Sequence, residues 1–297
     1  GNVLMIDVIF TENEKAFEYE STFDYLLKDF HYNKRNINDD PKTFNNKTLI
    51  IYSSLNEFVP KYIDDFVKQL NCEYILFHMS NEWDWAFYPQ LKNFSDTINE
   101  TKHYYGNASH VFRNYWNPMF DCDIVTHLPI FWQNGFLNNA SIIENVKTYK
   151  TAFIGNPKND RPKVIDIMEK MGDCYVHKTS GWLSEDIITV DKQSQVYSKT
   201  VICPCPMGGC HPEVFRMCEI LESKSIPVIV EYFDFEYHNR IYGYDSPIPR
   251  IKRWEDLPKV YNDIIKRGVY QATENIHHWY QDWKIRTKYN FQKILLS

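Results

Sequence analysis

The chain has 297 residues, of which 24% are charged, 43% hydrophobic and 16% aromatic, and its formal net charge is -6. This composition excludes an intrinsically disordered or collagen-like chain, and the acidic balance disfavours nucleic acid as a main partner. A chain of this length is expected to fold as roughly two domains of about 150 residues each.

The first half of the chain alternates short apolar runs with amphipathic stretches, which is the pattern of α/β folds. Residues 48–52 (TLIIY) have the composition of a buried strand, and the apolar residues of 61–70 follow helical spacing. Two further strands are predicted over 74–77 and 123–127. Because polar residues end each of these strands, we expect ligand-binding side chains at the carboxyl edge of a parallel sheet.

The second half repeats this alternation. Its predicted elements are strands over 150–154, 173–177, 201–202 and 226–230, and helices over 161–171 and 212–223. Aromatic residues spaced along the C-terminal segment predict a last helix. We therefore predict an α/β fold with an N-terminal domain over 1–145, a C-terminal domain over 146–274 and a helix over 275–297 that packs back on the N-terminal domain.

Membrane insertion and secretion are both disfavoured by the sequence. No run approaches the roughly 18 to 20 apolar residues that span a bilayer, and the N-terminus lacks a secretory signal. The seven cysteines cannot all pair, which fits a reducing compartment. We expect a soluble, cytoplasmic protein, with the secretory-pathway lumen as the alternative because five glycosylation sequons occur, at Asn46, Asn93, Asn99, Asn107 and Asn139.

Several common catalytic motifs are missing. The ten glycines form neither G-x-G-x-x-G nor a P-loop, and H-E-x-x-H and G-x-S-x-G are absent as well. Cys203-x-Cys205, Cys210-His211 and Cys218 offer only one tight cysteine pair, which is more typical of buried thiols than of a zinc site. Classical dehydrogenases, kinases, zincins and α/β-hydrolases are therefore disfavoured.

The most informative segment runs from 204 to 230. A strand leads into a Pro/Gly turn, the turn opens a helix, and the helix returns to a strand. Gly208 and Gly209 allow the backbone to approach a ligand, and the N–H groups of the helix favour an anion. Arg216 and Glu219 lie three residues apart on one helix face, where they suit phosphate oxygens and ribose hydroxyls of a nucleotide. An ordinary surface ion pair would have the same spacing.

Further residues around Arg216 and Glu219 match the pattern of a known family. Arg216, Glu219 and Leu221, followed by Ile226-Pro227-Val228-Ile229, resemble the donor domain of exostosin-like glycosyltransferases. Gly155 after Phe153-Ile154, with Arg161 downstream, is similar to the start of that domain. Residues 78–82 and 111–116 resemble the N-terminal half of the ribitol-xylosyltransferase branch, and xylosyltransferases of large algal DNA viruses are similar as well.

The resemblance implies an inverting glycosyltransferase of GT-B type, with two Rossmann-like domains and the sugar nucleotide in the cleft between them. It implies a UDP-sugar donor, UDP-xylose as the best choice, a glycan hydroxyl as acceptor and no required metal cofactor. A viral relative would work in the host cytoplasm. The residues that we expect to contact the donor are Gly155, Lys158, Arg161, Met207, Gly208, Gly209, Arg216, Glu219 and Arg113.

Inverting transfer needs a base for the acceptor proton, and the segment after strand 74–77 is the richest in carboxylates. Glu82 is our first candidate and Asp84 the second, because the neighbouring Trp83 and Trp85 could stack on sugars and shield a carboxylate. Partial shielding of this kind raises a carboxyl pKa toward values useful for a base.

Three alternatives stay open, and one of them is a redox enzyme that uses an atypical nucleotide site and would bind NAD but not UDP. Asp121 and Asp123 form a D-x-D motif, which would hold a divalent cation in a metal-dependent GT-A-like glycosyltransferase. A non-catalytic protein that binds a nucleotide sugar or carbohydrate would keep the fold without the base.

Overall fold

The computed structural model describes residues 4–55, 57–80, 82, 104–116, 118–140, 147–232 and 236–297. The chain divides into two compact units. Unit 1 comprises residues 1–130 and 286–297, and unit 2 comprises 131–285. Each unit contains one sheet, and the strand pairings in both sheets are parallel among the residues described.

Unit 1 contains a six-stranded sheet. Its strands are β1 (Ile6–Phe10), β2 (Tyr32–Arg35), β3 (Thr48–Ser53), β4 (Tyr74–Met79), β5 (His110–Arg113) and β6 (Val125–His127). The order is β2-β1-β3-β4-β5-β6, so the direction of winding reverses between β1 and β3. The central β4 is buried along its whole length, as expected for a strand covered on both faces.

Among the described residues between its strands, this sheet is accompanied by an α-helix and several short helical turns. Helix α1 (Lys61–Val67) follows Pro60 and buries Ile63 and Phe66 against the sheet core. Its outer face carries two ion pairs at i,i+4 spacing, which add modestly to helix stability. The shorter turns are a π-helix over Glu20–Leu26 and 3₁₀ helices over Pro41–Thr43 and Pro118–Phe120.

Unit 2 contains a five-stranded sheet. Its strands are β7 (Tyr149–Gly155), β8 (Cys174–Lys178), β9 (Thr200–Pro204), β10 (Ile226–Val230) and β11 (Arg250–Ile251). The order is β11-β10-β9-β7-β8, so the chain winds outward in both directions from β7 and β9. In open α/β sheets, ligands bind at the carboxyl ends of the strands at this switch point.

Helices connect these strands. They are α2 (Phe136–Asn139), α3 (Arg161–Met171), α4 (Val190–Ser198), α5 (Phe215–Glu222), α6 (Tyr237–Tyr242), α7 (Leu257–Arg267) and α8 (Val269–Leu296), with a 3₁₀ turn over Trp254–Asp256. Helix α3 has proline in its first turn and ends at Gly172, whose φ of 76° suits a residue without a side chain.

The long helix α8 contributes to both units. Within unit 2, Tyr280 donates a hydrogen bond to Glu222, and Trp283 packs on Phe131. Within unit 1, the ring of Phe291 packs against Phe77 and Phe112. In the part of the chain that the structure describes, none of the helices combines the length and apolarity required to cross a bilayer.

Candidate functional site

Two loops meet at the switch point of unit 2. The first follows β7 and leads into α3, and the second follows β9 and leads into α5. Because β7 and β9 are neighbours, both loops leave the same edge of the sheet. Gly155, Arg161, Met207 and Arg216 make contacts across these loops, so the structure brings together residues that lie up to 61 positions apart.

Gly155 and Arg216 approach each other closely. The Nη2 atom of Arg216 donates a hydrogen bond to the carbonyl of Ile154 at 2.9 Å. A Cβ atom on residue 155 would lie 2.6 Å from the same Nη2, and Gly155 has φ +154°, which L side chains rarely adopt. Glycine at the end of β7 therefore makes room for the guanidinium of α5.

The other nitrogen atoms of the Arg216 guanidinium are buried and make no hydrogen bond to a described residue. The Arg216 side chain is 9% exposed and lies over the ring of Phe153. The Nε and Nη1 atoms are buried and have no hydrogen-bond partner among the described residues. Buried donors on a charged group are costly to leave unpaired, so this position suits an anionic ligand.

Arg161 adds a second buried cation. Its Nε donates to the carbonyl of Met207 at 3.2 Å and its Nη1 to the carbonyl of Asn156 at 2.8 Å. Burial, followed by the neighbouring positive charge of Arg216, lowers the pKa of Arg161 to about 9. Both causes disfavour positive charge here, and an anion bound between the guanidiniums would offset them.

Hydrogen bonds fix the loop after β9. The side-chain amide of Asn159 donates to the carbonyls of Gly208 and Gly209 at 2.6 and 3.2 Å. The N–H of Met207 donates to the hydroxyl of Tyr232, which in turn donates to Asp160. The predicted glycines and Met207 are therefore held beside Arg161 by their backbones, and Asn159, Asp160 and Tyr232 are contributors that the sequence analysis missed.

Two more predicted residues lie near this group with different environments. Glu219 is buried on α5, and its Oε1 accepts a hydrogen bond from Gln193 of α4 at 3.1 Å. Lys158 lies in the first loop with an exposed side chain, so its predicted phosphate contact stays a prediction.

Replacing Gly155 by alanine is expected to destabilise the protein through the clash with Arg216. We expect the thermal midpoint to fall by about 2 to 5 °C, since overpacking typically costs about 1 to 3 kcal/mol in a chain of this length. Gly172→Ala is the matched control, because Gly172 also has positive φ but a Cβ there would meet nothing within 4 Å. Equal shifts of the two midpoints in thermal unfolding would show that the close approach imposes no constraint.

Arg113 is the one predicted donor contact that belongs to the other unit. It lies in unit 1, fully buried, where its Nη1 donates to the hydroxyl of Tyr105 at 2.7 Å and its guanidinium covers the ring of Phe120. Tyr105 also bonds to His78, whose pKa is held well below its ordinary value by burial and by the charge of Arg113. These contacts give Arg113 and His78 a structural role, and the predicted contact of Arg113 with the donor stays a prediction.

The predicted base lies at the carboxyl edge of the unit 1 sheet. Glu82 follows the end of β4, and its N–H donates to the carbonyl of Ser80, a residue with φ 65°. The second candidate, Asp84, lies outside the described residues, as do Trp83 and Trp85.

A carboxylate that the sequence analysis missed lies beside Ser80. The hydroxyl of Ser80 donates to Oε1 of Glu18 at 2.6 Å, and Glu18 is 5% exposed. Burial raises the pKa of Glu18 above its ordinary value, although the Ser80 hydrogen bond opposes this shift. Glu18 follows β1, next to the β1/β3 switch point, so this edge of the sheet carries a second acid.

The raised pKa of Glu18 predicts a pH-dependent effect on stability. Between pH 4.5, the ordinary glutamate pKa, and the higher pKa of Glu18 in the folded protein, the folded protein binds more protons than the unfolded chain. Stability from this group is present below that window and is lost as pH rises through the folded-state pKa. We therefore expect Glu18→Gln to raise the thermal midpoint relative to wild type increasingly from pH 4 toward pH 8.

Thermal unfolding over this pH range checks the expectation. Glu57→Gln, at an exposed position, is the control and is expected to leave the curve unchanged. If the difference in thermal midpoint between Glu18→Gln and the wild type stays constant with pH, the expected destabilisation by a buried, ionised Glu18 is contradicted.

The residues considered for metal binding do not form a site in the described parts of the chain, where no group of three or more His, Cys, Asp or Glu side chains is suited to a metal ion. Asp121 and Asp123 precede β6, at the amino edge of the sheet, away from the edge where parallel sheets bind ligands. Cys203 and Cys205 are buried, and burial raises the pKa of Cys203 to about 12.

Comparison with known proteins agrees with this architecture. A structure titled as an alpha-glucosyltransferase in complex with UDP and a mismatched 13-mer DNA superposes with a TM-score of 0.53, covering 99% of this chain and 100% of that one at 10% identity. The ribitol-5-phosphate xylosyltransferase 1 of Mus musculus is 24% identical over 179 residues, which are 53% of this chain and 40% of that protein. The match therefore spans less than half of that relative's length.

The parallel sheets of two α/β units and this structural likeness define a fold of the GT-B type, as predicted. The model of the RXYLT1 C-terminal domain matches residues 134–297, which are more than half of the chain. The chain belongs to this family, and its predicted relation to the ribitol-xylosyltransferase branch is confirmed.

Proposed function

We propose that the protein is a glycosyltransferase that uses a UDP-sugar donor. The observation that carries this proposal is the pair of buried guanidiniums at the switch point of unit 2, with two atoms of Arg216 unpartnered among the described residues. A diphosphate supplies anionic oxygens in the number and spacing that two guanidiniums can bind.

The same residues support a role in the reaction. In a single displacement the diphosphate leaves with growing negative charge, and prearranged cations stabilise that charge. Arg161 and Arg216 would do this in place of a metal ion, and Glu219 would accept hydrogen bonds from the ribose hydroxyls. Glu82 would take the proton from the acceptor hydroxyl on the opposite side, so that the sugar is transferred with inversion.

Xylose is the sugar that we propose, with a glycan hydroxyl as the acceptor. The relative named a ribitol-5-phosphate xylosyltransferase supports this choice. The viral origin and the action in a host cytoplasm rest on the sequence resemblance.

The test is acceptor-dependent release of UDP. The purified protein is incubated with UDP-xylose, UDP-glucose or UDP-galactose, with and without a ribitol-phosphate glycan. We expect UDP release above background with UDP-xylose and only when the acceptor is present. Binding of UDP without release from any donor, with the correct acceptor class supplied, would favour the non-catalytic alternative.

A further inference from the structure

An exposed tryptophan lies in the loop that follows β8. The side chain of Trp182 is 61% exposed, and its ring stacks on Phe215 with centroids 6.1 Å apart and planes 13° apart. The next residue, Leu183, is 58% exposed and has φ 60°, which is uncommon for a branched side chain. Large apolar groups held out toward solvent in a strained loop are typical of a binding surface.

Hydrogen bonds hold this loop in shape. The carboxylate of Asp186 accepts from the N–H of Ser180 at 2.8 Å and from the hydroxyl of Ser184. The ring of His177 at the end of β8 bonds to the backbone carbonyl of Asp186 at 2.6 Å. These hydrogen bonds join the two sides of the loop and therefore hold Trp182 in a defined position.

A hydrogen bond also connects this loop to Gly155, next to the guanidiniums of Arg161 and Arg216. The N–H of Thr179 donates to the carbonyl of Gly155 at 3.0 Å, so the segment before Trp182 is anchored to the residue that contacts Arg216. On the other side, Phe215 begins helix α5 and immediately precedes Arg216. Trp182 thus belongs to the same edge of the sheet as the two guanidiniums.

The first turns of α5 carry three groups that suit the three parts of a nucleotide. Phe215 and Glu219 are four residues apart and therefore share one helix face, while Arg216 turns toward the end of β7. The first five residues of α5 therefore offer an aromatic ring, a cation and a carboxylate, which are the groups that suit a nucleobase, a diphosphate and a ribose.

We propose that Trp182, supported by Phe215, stacks on the nucleobase of the donor. This inference rests on the proposed function and adds the element that binds the base. Stacking of a base on an aromatic side chain contributes about 1 to 3 kcal/mol, which corresponds to about 5- to 150-fold in affinity. The contact is made by the base alone and leaves the diphosphate unaffected.

The experiment compares two probes, UDP and inorganic pyrophosphate, by isothermal titration of the full chain. For Trp182→Ala we expect UDP affinity to fall about 5- to 150-fold and pyrophosphate affinity to stay within about twofold. Trp182→Phe keeps an aromatic ring and is expected to retain most of the UDP affinity. Tyr270→Ala, at a position that is 71% exposed on α8, is the control and should leave both affinities unchanged.

Two results would overturn the inference. One is wild-type UDP affinity in Trp182→Ala, and the other is an equal loss of UDP and pyrophosphate, which would assign the loop to the shape of the phosphate site. In the first case, a loss of acceptor-glycan affinity in the same variant would place the acceptor on Trp182. Failure of the wild-type protein to bind UDP would instead contradict the proposed function.

Discussion

Replacing Arg216 by methionine is expected to weaken UDP binding by at least about 30-fold while leaving the fold intact. Methionine keeps much of the side-chain volume and removes the charge whose Nε and Nη1 atoms are unpartnered among the described residues. Loss of one partner from a buried, hydrogen-bonded charge pair typically costs about 2 to 5 kcal/mol, so affinity should fall at least about 30-fold. The thermal midpoint without ligand should be unchanged or higher, because an uncompensated buried cation destabilises the folded state.

The control for this variant is Arg253→Met. Arg253 has a side chain that is 71% exposed, and its ion pair with Asp256 is of the surface type that contributes little. This substitution should alter neither UDP affinity nor the thermal midpoint. Titration calorimetry and thermal unfolding measure the two properties separately. Wild-type UDP affinity in Arg216→Met would contradict the donor site assigned to unit 2.

Replacing Glu82 by glutamine is expected to reduce kcat by about 10²- to 10⁴-fold, which is the usual contribution of a general base. Because Glu82 belongs to unit 1 and the proposed donor site to unit 2, UDP affinity should stay within about twofold of wild type. Steady-state release of UDP from UDP-xylose with acceptor gives kcat, and titration gives the affinity.

Glu18→Gln is the matched comparison, since Ser80 contacts both residues. If Glu82 is the base, Glu18→Gln should retain most of the activity. Full activity in Glu82→Gln together with a loss of activity in Glu18→Gln would indicate that Glu18, and not Glu82, is the general base.

Regular elements with strong patterns could be predicted from the sequence. Helix α3 and strand β10 have the predicted limits, because a proline and a glycine bound the helix and the strand IPVIV is continuously apolar. The strands β1, β2 and β5 were missed. Strand β2 (YNKR) is a polar edge strand, and β1 contains Asp7, which is buried only because Arg35 and Asn33 of β2 pair with it. Such pairing depends on tertiary contacts that no local pattern reveals.

The candidate site could likewise be predicted only in part from the sequence. Gly155, Arg161 and Arg216 could be found because the resemblance fixed their positions, and the structure brings their atoms together. The environment of Arg113 could not be predicted, since an arginine beside a strand end can face solvent or lie buried on an aromatic ring, as it does here on Phe120. Glu18 and Trp182 lie in loops without motif spacing, so their neighbours Ser80 and Phe215 became visible only in three dimensions.

The central claim is that the carboxyl edge of the unit 2 sheet binds a nucleoside diphosphate through Arg161 and Arg216 without a metal ion. Isothermal titration of the wild-type protein with UDP in the presence of EDTA, with NAD as the comparison, tests it most directly. We predict saturable one-to-one binding of UDP that is unaffected by EDTA and at least about 30-fold weaker in Arg216→Met, with no binding of NAD. Binding of NAD instead of UDP, or UDP binding that disappears on chelation, would contradict the claim.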